Sequence, residues 1–299
     1  MSMLRTLIAF SRPHTIIATT VQVFTIFLIV AGRQAGVAAA APLALALLAC
    51  LSLNLYVVGL NQITDVDIDR VNKPWLPLAD GRLSLAQGRG IVVATGILAL
   101  VLALIAGPYL LLTVATIMVI GTIYSLPPMR LKRRPIPAAI SIAIARGLLS
   151  NLGLALHYSQ VFAVRPPLIT LALVGIFFFG FGLVIAIYKD IPDLSGDKMH
   201  QIETFTTRMG PRRVLGLGRA ILSVCYGIPI VLGLLLLPSS SALFLLLSHL
   251  VIIGLFWLAS LRVDLKSQSS ISGFYMFLWA IFYTEFGVLS LYELTRTIV

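Results

Sequence analysis

The sequence predicts an all-α integral membrane protein: nine transmembrane helices around a central cavity, with two aspartate-rich loops on the cytoplasmic side. Three observations carry that prediction. The 299 residues are 59% hydrophobic and 11% charged, with a mean hydropathy of +1.01. A soluble domain carries about 25% charged residues, so most of this surface must meet lipid. Apolar stretches near the spanning length of roughly 20 residues recur along the chain. Lys and Arg fall mainly on alternate connections between those stretches, as the positive-inside bias requires.

The spans are expected at 14–32, 38–60, 90–107, 109–127, 136–158, 168–188, 214–236, 242–261 and 271–292. Period-two alternation is absent, which argues against a β-barrel. Gly107-Pro108 should join spans three and four tightly. With the N-terminus inside, 18 of the 22 Lys and Arg lie on cytoplasmic segments. Arg33, Arg165 and Arg296 lie outside, and Arg146 falls within a span. The net charge of +11 is therefore chiefly a topology signal, with anionic lipid headgroups as a further expected partner. Nucleic acid is a poor partner for cations spread over separate loops. No cleavable signal peptide and no transit peptide are expected before the first span. Cys50 and Cys225 lie in predicted spans and read as small packing residues. No polar linker divides the chain, so residues 1–299 are expected to form a single domain.

Most of the 11 acidic residues lie in or beside two segments. The first is Asn61-Gln-Ile-Thr-Asp65-Val-Asp67-Ile-Asp69; the second is Asp190-Ile-Pro-Asp193-Leu-Ser-Gly-Asp197. Carboxylates this close repel one another unless positive charge sits between them. Asp65 and Asp69 are four apart, as are Asp193 and Asp197, and the two pairs are 128 residues apart. One pair follows span two and the other span six, so both face one side. A parallel duplication around a shared site would give this pattern. So would chance, since acidic pairs four apart are common.

If span two stays helical past Leu60, Asn61, Asp65 and Asp69 share one face and can converge on one hard cation. Asp67 then points elsewhere. Pro192 and Gly196 weaken a helix in the second segment, where Asp193 and Asp197 can still meet beside Asp190. Oxygen ligands that leave room for water and phosphate suit Mg²⁺. Lys73, Lys132, Lys189 and Lys198 can reach phosphate oxygens, or simply be solvated loop cations. Metal and lysines together would stabilise charge on a departing diphosphate.

An ionised side chain at mid-bilayer costs about 2.5–3.5 kcal/mol on insertion scales. Arg146 and Glu285 both fall deep in predicted spans. Two compatible readings are open: an Arg146–Glu285 ion pair locking span five to span nine, or an Arg146 that faces the cavity and receives an anionic co-substrate. Asn151 and His157 share the span of Arg146. Phe177, Phe178, Phe179 and Trp279 are expected to pack or touch lipid, or to line a channel for an isoprenoid tail.

These residues resemble the UbiA superfamily of intramembrane aromatic prenyltransferases. Asn61-x3-Asp65-x3-Asp69 is similar to its first Asp-rich motif, and Tyr188-Lys189-Asp190 followed by Asp193-x3-Asp197 to its second. Ser11-Arg12-Pro13-His14-Thr15 and Tyr124-Ser125-x-Pro127-Pro128 extend the resemblance over nearly the whole chain. Val58–Ala79, Arg146–Gly153 and Tyr188–Lys198 are most similar to the homogentisate phytyltransferase branch, and the expected lack of a plastid transit peptide looks cyanobacterial.

The resemblance implies nine helices with the motifs on cytoplasmic loops after helices two and six, in a bacterial plasma or thylakoid membrane. It implies Mg²⁺ on Asn61, Asp65, Asp69, Asp190, Asp193 and Asp197, with Asp65, Asp69, Asp193 and Asp197 catalytic. Lys73, Lys132, Lys189 and Lys198 would hold the diphosphate of a phytyl or geranylgeranyl donor. Homogentisate would be the acceptor, losing carbon dioxide on the way to tocopherols or related prenylquinones. Arg146 is the candidate for its carboxylate, with Arg12, Asn151 and Tyr188 as further acceptor contacts. No general base is evident. The rival readings are a chlorophyll synthase, hydroxybenzoate or solanesyl type of transferase, or a secondary transporter of anions or divalent metal. A transporter would place its ligands near mid-membrane, whereas these carboxylates sit at one end.

Overall fold

The computed structural model describes residues 3–32 and 36–296, so Arg33 of the charge argument lies outside the described residues. From the N-terminus, α1 (Met3–Phe10) leads into α2 (Pro13–Ala31), then α3 (Ala40–Thr64) and the short α4 (Val66–Asn72). Next come α5 (Leu85–Ala106), α6 (Pro108–Ser125), α7 (Pro135–Ala143) and α8 (Ser150–Val161). A π-helical stretch, Ile144–Leu149, joins α7 to α8. The chain continues as α9 (Leu168–Tyr188), α10 (Leu194–Met199), α11 (Phe205–Met209), α12 (Pro211–Leu235), α13 (Ser240–Leu261) and α14 (Gln268–Arg296). There is no strand among the described residues. Nine helical stretches among them are long and apolar enough to cross a membrane: α2, 37–64, α5, α6, Pro135–Val161, α9, α12, α13 and α14.

Local chemistry sets the starts of these helices. Proline opens α2, α6, α7 and α12, where its missing N–H costs nothing. Ser84 and Gln87 cap α5 reciprocally, which starts that span five residues before the expected position 90. Gly107 joins α5 to α6 at φ 133°, a backbone conformation open to glycine alone among common residues.

The spans pack in chain order around a ring. α2 lies on α3, α3 on α6, α6 on α8, α8 on α9, α9 on α12, α12 on α13, α13 on α14, and α14 returns to α2. α5 sits against α3 and α6. One end of the ring interior is filled by aromatic rings: Phe178 stacks on Phe286 at 3.8 Å, and Phe177, Phe181, Tyr226 and Phe282 pack around them. Phe177 and Phe178 of α9 are thus packing residues. Trp279 alone among the expected aromatics reaches the cavity at the other end. Where α9 crosses the π stretch, the backbones touch: a Cβ on Gly147 would lie 2.5 Å from the Phe178 carbonyl. Cys50 and Cys225 are both free thiols.

The Arg146–Glu285 ion pair, one of the two readings left open, does not form. Glu285 is fully buried and its Oε1 lies 2.7 Å from His249 Nε2 on α13. The other imidazole nitrogen lies 2.7 Å from the Leu245 carbonyl, so Nδ1 carries the proton it donates there. Arg146 lies instead over Trp279, 5.4 Å from the ring centroid. Trp279 precedes Glu285 by almost two turns, roughly 9 Å along α14. The two ionisable groups therefore sit at different depths.

Removing one partner of a buried pair costs about 3–5 kcal/mol. His249→Leu should lower the thermal unfolding temperature in detergent by several degrees. The double variant His249→Leu/Glu285→Met should recover most of that loss, and Arg146→Met should leave the temperature nearly unchanged. An equal fall in Arg146→Met would contradict the His249–Glu285 pairing as the lock on α14.

Candidate active site

The two acidic segments end in the same local structure. Asp65 stands at the start of α4 and Asp193 at the start of α10, each just outside helical geometry. The Asp69 N–H donates to the Asp65 carbonyl at 2.7 Å, and the Asp197 N–H to the Asp193 carbonyl at 3.1 Å. Helix α3 does run past Leu60, but it breaks at Asp65. Thr64 Oγ1 bonds back to the Leu60 and Asn61 carbonyls, and Arg130 Nη2 donates to the Thr64 carbonyl at 2.8 Å. That carbonyl is then lost to the α-helical ladder, and the chain restarts as α4.

Asp65, Asp69 and Asp193 each meet a cation from another part of the chain. Asn61 Nδ2 donates to Asp65 Oδ2 at 3.0 Å. Asp65 Oδ1 lies 2.7 Å from Lys132 Nζ and 3.5 Å from Arg130 Nη2, both from the loop after α6. Asp69 is buried, with Arg12 Nη2 3.8 Å from Oδ2 and Lys73 Nζ 4.0 Å from Oδ1. Its Oδ2 accepts no hydrogen bond. Lys73 also donates to Asp193 and so ties the first segment to the second. Asp190 pairs with Lys189 at 3.0 Å. Asn72 makes a second tie: its Oδ1 accepts from the Gly196 N–H at 2.9 Å, and its Nδ2 approaches Asp197 Oδ1 at 3.4 Å. Asp67 points away and pairs with Arg70 at the surface.

Burial dominates the acid–base behaviour. It pushes the Asp69 carboxyl up to about 6, against the opposing pull of Arg12 and Lys73. It pushes Asp197 up to about 7, helped by Asp190 and Asp193, and raises Asp190. It pulls the Lys132 amine down to about 8, against the attraction of Asp65. Lys189 is half-buried, and Asp190 and its other neighbours outweigh the loss of solvent and hold its amine above the usual lysine range. The site still carries more buried negative charge than its cations fully stabilise.

Among the described residues no three acidic, His or Cys groups converge as a compact metal cage. The donor set nevertheless suits a hard divalent cation. It is made of carboxylate and amide oxygens, and the orphaned Asp69 Oδ2 is one of them.

Above these groups opens a cavity of 790 Å³, within the range of small-molecule sites. Its walls are the mouth-side ends of α2, α3, α6, α9 and α14 and the inner end of α7 at Ser141 and Ile142. The mouth is charged. Val57, Ile117, Ile120, Ile142 and Ile185 supply an apolar belt, and Tyr124, Tyr275 and Trp279 supply aromatic faces. Arg146 stands three turns into its span from Pro135, roughly 16 Å along a helix. It makes no ion pair with a described carboxylate, and the Trp279 beneath it also meets His14, ring centroids 5.0 Å apart.

Of the residues singled out from sequence, the cavity gathers Asn61, Asp65, Asp69, Lys73, Asp190, Asp193, Asp197, Lys132, Lys189, Arg12 and Arg146. Three others lie elsewhere. Tyr188 is buried and its hydroxyl donates to the Leu215 carbonyl at 2.6 Å, filling the space beside Gly218. Lys198 is exposed outside the cavity. Asn151 is buried behind Arg146, bonded to Gln22 and to the Gly147 carbonyl. Sequence reasoning missed Asn72 and Arg130. The available signals were the three-residue step from Asp69 to Asn72 and the shared loop of Arg130 and Lys132.

A charged mouth over an apolar chamber defines a membrane protein whose interior fits a ligand with an anionic head and a greasy tail. Residues 22–281 match the UbiA prenyltransferase family. The chain is 43% identical over 282 residues to a homogentisate phytyltransferase of Synechocystis sp., covering 93% of this chain and 92% of that one. It is 34% identical to homogentisate phytyltransferase 1, chloroplastic, of Arabidopsis thaliana, covering 94% and 73%. It is also 34% identical to a homogentisate geranylgeranyltransferase of Hordeum vulgare, covering 95% and 71%. Among solved structures, a UbiA homolog from Archaeoglobus fulgidus bound to GPP and Mg²⁺ superposes with a TM-score of 0.68 at 17% identity, covering 95% of this chain and 99% of that one. The chain belongs to the UbiA prenyltransferase family and is an integral membrane prenyltransferase.

The acid–base behaviour sets a pH window for turnover. Below pH 6 to 7, Asp69 and Asp197 gain protons and lose the charge that faces the mouth cations. Above about pH 8, Lys132 loses its charge. Donor kcat/KM, which reports the free enzyme, should rise through pH 6–7 and fall above about 8. A flat profile from pH 5.5 to 9 would contradict these shifts.

Proposed function

We propose that this chain transfers a phytyl or geranylgeranyl group from its diphosphate to homogentisate, with loss of carbon dioxide, as a step towards tocopherols or related prenylquinones. The observation that carries the acceptor half is Arg146: a guanidinium deep in an apolar cavity, over an aromatic ring, with no carboxylate of its own. Homogentisate offers both a ring and a carboxylate. The similarity to homogentisate phytyl- and geranylgeranyltransferases over most of the chain supports the same reading.

Asn61, Asp65 and Asp69 from one segment, with Asp190, Asp193 and Asp197 from the other, would hold Mg²⁺. When bound, the metal supplies positive charge that neutralises the donor diphosphate. Lys73, Lys132, Lys189, Arg12 and Arg130 surround the same space and stabilise the diphosphate, which keeps the electron pair as the carbon–oxygen bond breaks. The belt of Val57, Ile117, Ile120, Ile142 and Ile185 receives the tail and keeps water from the allylic cation. Tyr124, Tyr275 and Trp279 offer ring faces to that cation. The electron-rich acceptor ring attacks it and loses a proton. The carboxymethyl group gains a proton as carbon dioxide leaves, so charge and atoms balance. Arg146 holds the carboxylate while the ring is oriented.

The mouth is read as cytoplasmic from the bias of Lys and Arg, in a bacterial plasma or thylakoid membrane, with residues 1–299 acting as one domain. The test is a donor-by-acceptor activity matrix in membranes, scored by product mass and by release of labelled carbon dioxide from carboxyl-labelled homogentisate. Homogentisate with phytyl or geranylgeranyl diphosphate should give a decarboxylated prenylquinol, and Asp193→Ala membranes should give none. Homogentisate failing with every donor, while a hydroxybenzoate or chlorophyllide succeeds, would sink the assignment.

A further inference from the structure

Arg146 sits on the one π-helical stretch of its span, Ile144–Leu149. A π turn inserts one residue into the α-helical ladder, and such turns need extra partners for the carbonyls they displace. Here three successive carbonyls are each taken by a side chain. Ser150 Oγ donates to the Ala145 carbonyl at 2.6 Å, Gln22 Nε2 to the Arg146 carbonyl at 3.1 Å, and Asn151 Nδ2 to the Gly147 carbonyl at 2.7 Å. Gln22 Nε2 also donates to Asn151 Oδ1 at 2.7 Å.

Gln22 comes from α2, on the other side of the crossing, and is only 6% exposed. A buried amide in an apolar bundle is costly unless it is bonded, and this one spends its donors on the π turn. From the opposite side, the close approach of α9 at Gly147 leaves the stretch no room to move. One residue of α-helix turns the chain by about 100°, so relaxing the π turn would rotate Arg146 relative to α8 by about that much. The guanidinium would then leave the face of Trp279.

We propose that Gln22 and Asn151 are positioning residues: they hold the π turn that aims Arg146 at the carboxylate of the acceptor. Asn151 acts on the acceptor through the backbone, without touching it. This rests on the reading of Arg146 as the carboxylate partner, and the experiment separates the two. It compares two acceptor-site ligands, homogentisate by its KM and methylhydroquinone, which lacks the carboxylate, by its inhibition constant. Their ratio cancels general loss of folded enzyme.

The carboxylate preference should fall tenfold or more in Arg146→Met. It should also fall severalfold or more in Gln22→Met, which keeps the length of the side chain, with donor KM within twofold. In Arg146→Met/Gln22→Met it should fall no further than in Arg146→Met alone, since the two act as one unit. Asn151→Leu repeats the test from the other end of the network. An unchanged preference in Gln22→Met and Asn151→Leu, with a fall in Arg146→Met, would overturn the positioning role alone. Additive losses in the double variant would overturn it too. An unchanged preference in Arg146→Met would overturn the carboxylate reading beneath it.

Discussion

The Lys73 ammonium between Asp69 and Asp193 is the contact on which the site depends. It joins two segments that are far apart in sequence and that would otherwise repel. The same logic repeats around the mouth. Lys132 and Arg130 meet Asp65, and Arg12 meets Asp69. Arg12, Arg130 and Lys132 come from a different connection or helix start than the aspartate they meet, and Lys73, four residues after Asp69, reaches across to Asp193. The charges therefore do more than neutralise one another. They hold the ends of α2, α3, α6 and α9 in one place, and Asn72 adds a neutral tie through the Gly196 N–H. Burial keeps the carboxyls at raised affinity for protons, which is also what makes them receptive to further positive charge.

That cluster works only because the rest of the ring is asymmetric. One half of the interior is closed by the rings around Phe178 and Phe286, so the cavity has a floor. The other half stays open and apolar up to the charged mouth. The two deep ionisable groups are kept apart in the same way. Glu285 meets His249 through Oε1 on the packed side, and Arg146 is left to face the chamber. An ion pair between them would have closed the site.

Spans and motifs were legible because they rest on local pattern. Hydropathy placed α2 within a residue of its bounds and α12 within three, since apolar length and an N-terminal proline mark both. The four-residue spacing put Asn61, Asp65 and Asp69 at one site, and all three line the cavity even though the helix breaks at Asp65. Contacts across the bundle were not legible. Nothing in the spacing of α13 and α14 says that His249 meets Glu285. The π turn was equally hidden: one inserted residue changes which side of the span faces the cavity, so Asn151 read as a cavity residue and stands behind it. Tyr188 misled for a similar reason, lying beside the motif in sequence but turned towards α12.

The claim at the centre is that the two acidic segments form one site for one diphosphate. It is tested most directly by binding of a non-reactive prenyl thiolodiphosphate in the presence of Mg²⁺ to the wild type, Asp69→Asn, Asp193→Asn and the double variant. If the segments share the ligand, each single variant weakens binding tenfold or more and the double variant is little weaker than the worse single. Two independent, multiplying losses, or full-strength binding when either segment is altered, would contradict it.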